Sequence, residues 1–96
     1  MRILLVEDDT LLGKALQAGL QQSGHAVDWV RDGIAGEEAV LNGDYAAVLL
    51  DLNLPRQDGM TLLAKLRRGG YQLPILIITS RDDIPDHVLG LDTGAD

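Results

Sequence analysis

Ala46-Ala47-Val48-Leu49-Leu50 runs straight into Asp51, and near the N-terminus Ile3-Leu4-Leu5-Val6 runs as directly into Glu7-Asp8-Asp9. Short apolar runs without alternation read as strands buried on both faces, the pattern of a parallel sheet covered by helices on each side. In an open sheet of that kind, ligands dock just beyond the carboxyl ends of the strands. Both acid groups therefore belong at one crevice. Crowded carboxylates repel and raise one another's pKa, so such a cluster awaits a cation, and oxygen donors suit a hard metal.

The pattern extends outward from these two runs. Residues 2–6 form a first strand, and Asp8 or Asp9 can cap a helix from Thr10 to Gln22, with Leu12, Ala15, Leu16, Gly19 and Leu20 along one face. Ser23-Gly24 stops it. His25 to Val30 reads as a second strand, and Asp32-Gly33 opens a helix that ends at Asn42-Gly43. Ala46 to Leu50 is the third strand. After the Pro55 to Gly59 turn, Met60, Leu62, Leu63 and Leu66 mark a third helix, ended by Gly69-Gly70. Leu73 to Ile78 gives a fourth strand, and a weaker helix runs from Ile84 or Pro85 to Leu91. Regular β-α alternation with short connections predicts an α/β doubly wound parallel sheet with right-handed crossovers. In the flavodoxin-like order 2-1-3-4-5, strands one and three flank the point where ligands bind.

Composition narrows the chemistry. The 96 residues suit one domain, 1–96. No apolar stretch approaches the roughly 18 residues of a membrane span, and the N-terminus lacks a secretion pattern, so a soluble, cytoplasmic protein with no membrane partner is expected. The absence of cysteine excludes disulfides, thiolate metal sites and cysteine nucleophiles. Eight Lys and Arg against fifteen Asp and Glu, a net charge of -7, argue against direct binding to a nucleic-acid backbone. Contact with DNA would need an effector domain that these residues do not contain.

Val6-Glu7-Asp8-Asp9 after strand one, Asp51-Leu52-Asn53-Leu54-Pro55 with Asp58-Gly59 after strand three, and Thr79-Ser80-Arg81 after strand four together form a specific signature. With these residues the chain resembles the receiver (CheY-like) domain of two-component response regulators, most closely the OmpR/PhoB subfamily that carries winged-helix DNA-binding domains. The resemblance implies that Asp51 is the phosphoacceptor, taking a phosphoryl group from a sensor histidine kinase as an acyl phosphate. It implies Mg²⁺ held by Glu7 and Asp8, one of them through water, with an oxygen of Asp51 and the backbone carbonyl of Asn53. Such a mixture of carboxylates, carbonyl and waters suits an octahedral ion. Thr79 corresponds to the switch hydroxyl that bonds a phosphoryl oxygen, and Pro55 and Gly59 shape the loop past Asp51. The domain is then a phosphoacceptor in signalling, catalysing only its own phosphorylation and dephosphorylation, with transcription as the downstream output.

The same resemblance calls for a lysine at the end of a fifth strand, and for an aromatic switch residue before it. The lysines here are Lys14 and Lys65, on the first and third helices, and the sequence runs out at Gly94-Ala95-Asp96. On this reading the fifth strand and helix are missing, leaving 2-1-3-4. Losing an ammonium-phosphoryl contact of roughly 1.5–3 kcal/mol would impair phosphorylation and signalling. An uncovered edge and face would favour a homodimer or domain-swapped self-association.

Three other functions compete. An FMN-binding flavodoxin-like module would need a hydroxyl- and glycine-rich loop where Glu7-Asp8-Asp9-Thr10 stands. An aspartyl phosphatase would carry a second acid two residues past the nucleophile, where Asn53 stands. A phosphorylation-incompetent interaction or dimerisation fragment is the principal alternative. Simpler roles cover other residues: Asp9 as a helix cap, His25 and His87 at the surface, Trp29 as core or sheet-edge packing, and Arg67-Arg68 as a solvated helix end.

Overall fold

Three aspartates start three helices. Oδ1 of Asp9 accepts from the Leu12 N–H at 3.0 Å, Oδ1 of Asp32 from Ala35 at 2.7 Å, and Oδ1 of Asp58 from Thr61 at 2.9 Å, each satisfying a donor that a helix start leaves unpaired. In the computed structural model, which describes residues 1–78, these caps open α1 (Thr10–Gln22), α2 (Gly33–Asn42) and α3 (Gly59–Arg68). They alternate with β1 (Arg2–Val6), β2 (Ala26–Val30), β3 (Ala47–Asp51) and β4 (Ile75–Ile78). Gly24 and Gly70, at φ 93° and 86°, take the left-handed conformation that turns the chain after α1 and α3.

The strands form one parallel sheet in the order β2-β1-β3-β4, as the alternation predicts. Register places Leu4 beside Val48 and Val48 beside Ile75, with Val6 beside Leu50 and Leu50 beside Ile77. That face packs on Val40 of α2 and on Leu62, Leu63 and Leu66 of α3. Leu4, Val48, Leu50, Leu63 and Ile75 have no measurable exposure, and each fully buried aliphatic side chain is worth roughly 1.5–3 kcal/mol. Leu5, Trp29 and Leu49 share the other face, where α1 packs chiefly against β2.

Several boundaries and roles differ from the sequence reading. Residues 25 and 73–74 fall outside their strands: His25 N–H bonds back to Leu20 in the turn after α1, and the Pro74 carbonyl accepts from Val48 just before β4 begins. Ala15 and Gly19 are exposed, while Leu12, Leu16 and Leu20 are half-buried, so the covered face of α1 is narrower than its apolar spacing suggests. His25 is half-buried, and its Nδ1 is enclosed without a partner. Arg67 does more than end a helix in solvent, because its Nη1 donates to the Tyr71 carbonyl at 2.8 Å and to the Leu73 carbonyl at 3.0 Å, tying down the α3–β4 connection. The helix expected to follow Arg81 lies outside the described residues, together with Thr79 and His87. No helix among the described residues is long and apolar enough to cross a membrane.

Candidate functional site

The sheet register creates the site. Val6 and Leu50 are partners in the β1–β3 ladder, so the next residues, Glu7 and Asp51, emerge side by side at the carboxyl edge. Both are buried, Glu7 at 1% exposure and Asp51 at 5%. Oε2 of Glu7 accepts the Asp9 N–H at 2.9 Å, whereas Oε1 is enclosed and meets no donor. Burial, and then the adjacent Asp51 carboxyl, raise the Glu7 pKa to about 7, opposed only by the Asp9 amide. Two carboxyl groups thus stand side by side, with no ion pair to either among the described residues.

The rest of the loop geometry serves Asp51. Asn53 N–H donates to Asp51 Oδ1 at 3.1 Å, closing a small turn in which Asn53 itself is exposed. Gly59 packs directly beneath: a Cβ there would overlap the Asp51 carbonyl and come 2.8 Å from the Leu52 Cα, and Gly59 N–H bonds to the Leu52 carbonyl at 3.2 Å. Pro55 is exposed, and its carbonyl accepts from Gln57 N–H at 2.7 Å and Gly33 N–H at 3.3 Å. Proline therefore fixes φ in a loop braced against the start of α2.

Asp8 and Asp9 are exposed, and Asp9 is the cap of α1. Among the described residues no three His, Cys, Asp or Glu side chains converge on one point, so Glu7 and Asp51 stand as a buried pair with Asp8 beside them at the surface. The donors are all oxygen, and among the described residues Oε1 of Glu7 meets no hydrogen-bond donor in a place where an unpaired acceptor is costly. That all-oxygen chemistry fits a hard divalent cation.

Other residues at this edge escaped the sequence reading. The Trp29 indole N–H donates to the Glu7 carbonyl at 2.8 Å, and Arg31 Nη2 donates to the Asp8 carbonyl at 2.7 Å and to Thr10 Oγ1 at 2.6 Å. Gln57, buried, bridges Gly33 and Glu37 of α2 and receives Lys65 Nζ at 2.6 Å. A usable signal existed for Arg31 alone: it directly follows β2, and the carboxyl ends of neighbouring parallel strands meet at the same edge.

The comparisons agree with this fold. A family model described as the response regulator receiver domain matches residues 3–96. The chain is 48% identical over 96 residues to the response regulator protein PmrA of Pseudomonas aeruginosa, covering 100% of this chain and 43% of that protein. It thus spans less than half the length of that relative. The BeF3-activated N-terminal receiver domain of Klebsiella pneumoniae RstA is similar with a TM-score of 0.93 and 39% identity, over 99% of this chain and 80% of that one. The Mn(2+)-bound form of the response regulator Rcp1 is similar with a TM-score of 0.87 and 29% identity, over 99% and 76%. With its 2-1-3-4 parallel sheet and its acids at the ends of β1 and β3, the chain belongs to the response regulator receiver domain family, the signalling domain of two-component systems.

Proposed function

We propose that this chain accepts a phosphoryl group from a sensor histidine kinase on Asp51, with Mg²⁺ bound beside it, and that the change controls a DNA-binding output in a neighbouring effector domain. The observation that carries the reading is the buried Glu7–Asp51 pair with its partnerless oxygen at the carboxyl edge of β1 and β3. Support also comes from the likeness to a BeF3-activated receiver and to a Mn(2+)-bound one.

An oxygen of Asp51 attacks phosphorus, the P–N bond to the kinase imidazole breaks, and the departing imidazole takes up a proton. Asn53 N–H steadies the other carboxylate orientation by holding Oδ1, and the Gly59 contact fixes the backbone from which the nucleophile projects. Glu7, Asp8, Asp51 and the Asn53 carbonyl would hold Mg²⁺, which would supply positive charge to offset repulsion between these carboxylates and a phosphoryl dianion. Thr79 is assigned the switch hydroxyl by family likeness, and Pro55 with Gly59 the shaping of the loop. Cytoplasmic location and self-association as a homodimer or swapped pair belong to the same reading.

The test is addition of Mg²⁺ and beryllofluoride, which mimics an acyl phosphate, followed by amide chemical shifts. Shifts centred on Glu7–Asp9 and Asp51–Asn53, abolished by Asp51→Asn, are the expected result. A folded protein with no response would leave an interaction domain in place of a phosphoacceptor.

A further inference from the structure

Resting on the reading of Glu7 and Asp8 as the cation-binding segment, we propose that Trp29 and Arg31 are positioning residues that set the affinity of that segment for a divalent cation. The segment 7–9 lies between β1 and α1, held at its ends by Glu7 N–H on the Val30 carbonyl and by Gly13 N–H on the Asp9 carbonyl, which leaves the Glu7 and Asp8 carbonyls outside ladder and helix. These two carbonyls are held by side chains from the edge strand and the residue after it. Trp29 Nε1 binds the Glu7 carbonyl at 2.8 Å and Arg31 Nη2 binds the Asp8 carbonyl at 2.7 Å. The Arg31 guanidinium also binds Thr10 Oγ1, at the first residue of α1, and stacks 5.2 Å from the Trp29 ring centroid.

The clamp is itself held in place. Gly13, the buried residue of α1, presses on the indole so closely that any Cβ would overlap the ring, with Cη2 only 2.8 Å away. Glu7 N–H bonds to the Val30 carbonyl at 3.0 Å, so the backbone of the segment is tied to β2 by donor and acceptor alike. With the Glu7 and Asp8 carbonyls drawn toward β2, these two residues have only their carboxylates to offer a cation. Partners that orient metal ligands from behind typically change affinity 10- to 100-fold when removed.

The test measures Mn²⁺ affinity of the full chain by electron paramagnetic resonance, alongside melting temperature in chelator. Trp29→Phe and Arg31→Gln are each expected to raise the dissociation constant about tenfold. Because the two side chains stack, the double variant should lose less than the product of the two effects. Arg31→Lys, which keeps the charge but not the planar fork, should recover only part of the loss. Tyr45→Phe is the control: it removes the 2.7 Å bond to Asp28 on the same strand, away from the loop, and should lower stability without changing affinity. Should Trp29→Phe fold poorly, Arg31→Gln at an exposed position carries the test alone. Wild-type affinity in the Arg31 variant, with the parent protein binding Mn²⁺ normally, overturns the positioning role and leaves the cation site standing. Failure of the parent to bind Mn²⁺ overturns the cation site, and the clamp with it.

Discussion

The backbone N–H of Asn53 lies 3.1 Å from Oδ1 of Asp51 and donates to it, so this carboxylate is held by its own chain two residues on. An amide oxygen accepts the same bond. Asp51→Asn should therefore fold normally, and by removing the negative neighbour of Glu7 it should gain stability without divalent cation. About 1 kcal/mol would appear as a rise of roughly 4–8 °C in melting temperature for a domain of this size. Scanning calorimetry in chelator checks the gain, which should vanish when Mg²⁺ is added.

Glu7 gives the protein an unusual pH dependence. Its pKa is raised from 4.5 to about 7 in the folded state, so between these values the folded chain holds a proton that the unfolded chain has released. Stability from this group is fully present below about pH 4.5 and is lost as pH rises through 7. Metal-free protein should thus melt several degrees lower at pH 8 than at pH 5, measured against Glu7→Gln, in which this slope should be absent. A bound cation replaces the proton, so added Mg²⁺ should flatten the slope in the parent.

Two glycine-to-alanine changes should move stability in opposite directions. At Gly59 the new Cβ meets backbone of Asp51 and Leu52, which cannot swing aside. A loss of about 1–3 kcal/mol is expected, with weakened beryllofluoride binding because Asp51 itself must shift. At Gly19, an exposed position within α1, nothing lies within 4 Å. Alanine there should stabilise by about 0.5–1 kcal/mol through helix propensity. Urea melts of the two variants provide the comparison.

Arg56 occupies the left-handed region at φ 68°, an uncommon place for a long side chain. Its guanidinium reaches Asp32, the cap of α2, at 3.4 Å, but Arg56 is 63% exposed in its side chain and such pairs contribute roughly 0–1 kcal/mol. Backbone preference should therefore outweigh the ion pair. Arg56→Asn, which tolerates this conformation, should be nearly neutral, whereas β-branched Arg56→Val should cost about 1–2 kcal/mol. Equilibrium unfolding at low and high salt separates the two contributions.

The strands and their order were legible because parallel strands covered on both faces leave continuous apolar runs, as in Leu4 to Val6 and Val48 to Leu50. Two helix starts were readable, since Asp9 and Asp32 each stand just before a helical pattern, whereas Asp58 read as part of the turn after Pro55 and is seen as a cap only through its bond to Thr61. Long-range contacts left no local trace. The glycine at position 33 reads as a helix opener, yet its more demanding role is to let the Gln57 backbone approach it. Trp29 looked like packing because its ring does pack, while the atom that matters is one N–H aimed at a carbonyl 22 residues away. The acids at the ends of β1 and β3 were found from sequence, but their division into a buried Glu7, one oxygen of which accepts the Asp9 amide, and an exposed Asp8 was not.

The register that brings Glu7 beside Asp51 also divides the surface into a conservative end and a permissive one. Adding or deleting one residue in 7–9 or 52–58 would break the caps of α1 or α3, the Asn53 turn and the Gly59 contact together. At the opposite edge, Ser23 and Gly24 are exposed and a Cβ at Gly24 would meet nothing within 4 Å, whereas Gly43 is packed against the Tyr45 ring and the Ala39 carbonyl. Peptide tags or reporter loops should therefore be accepted at residues 23–24 before 42–44, giving an attachment point on the far side of the sheet from the acids.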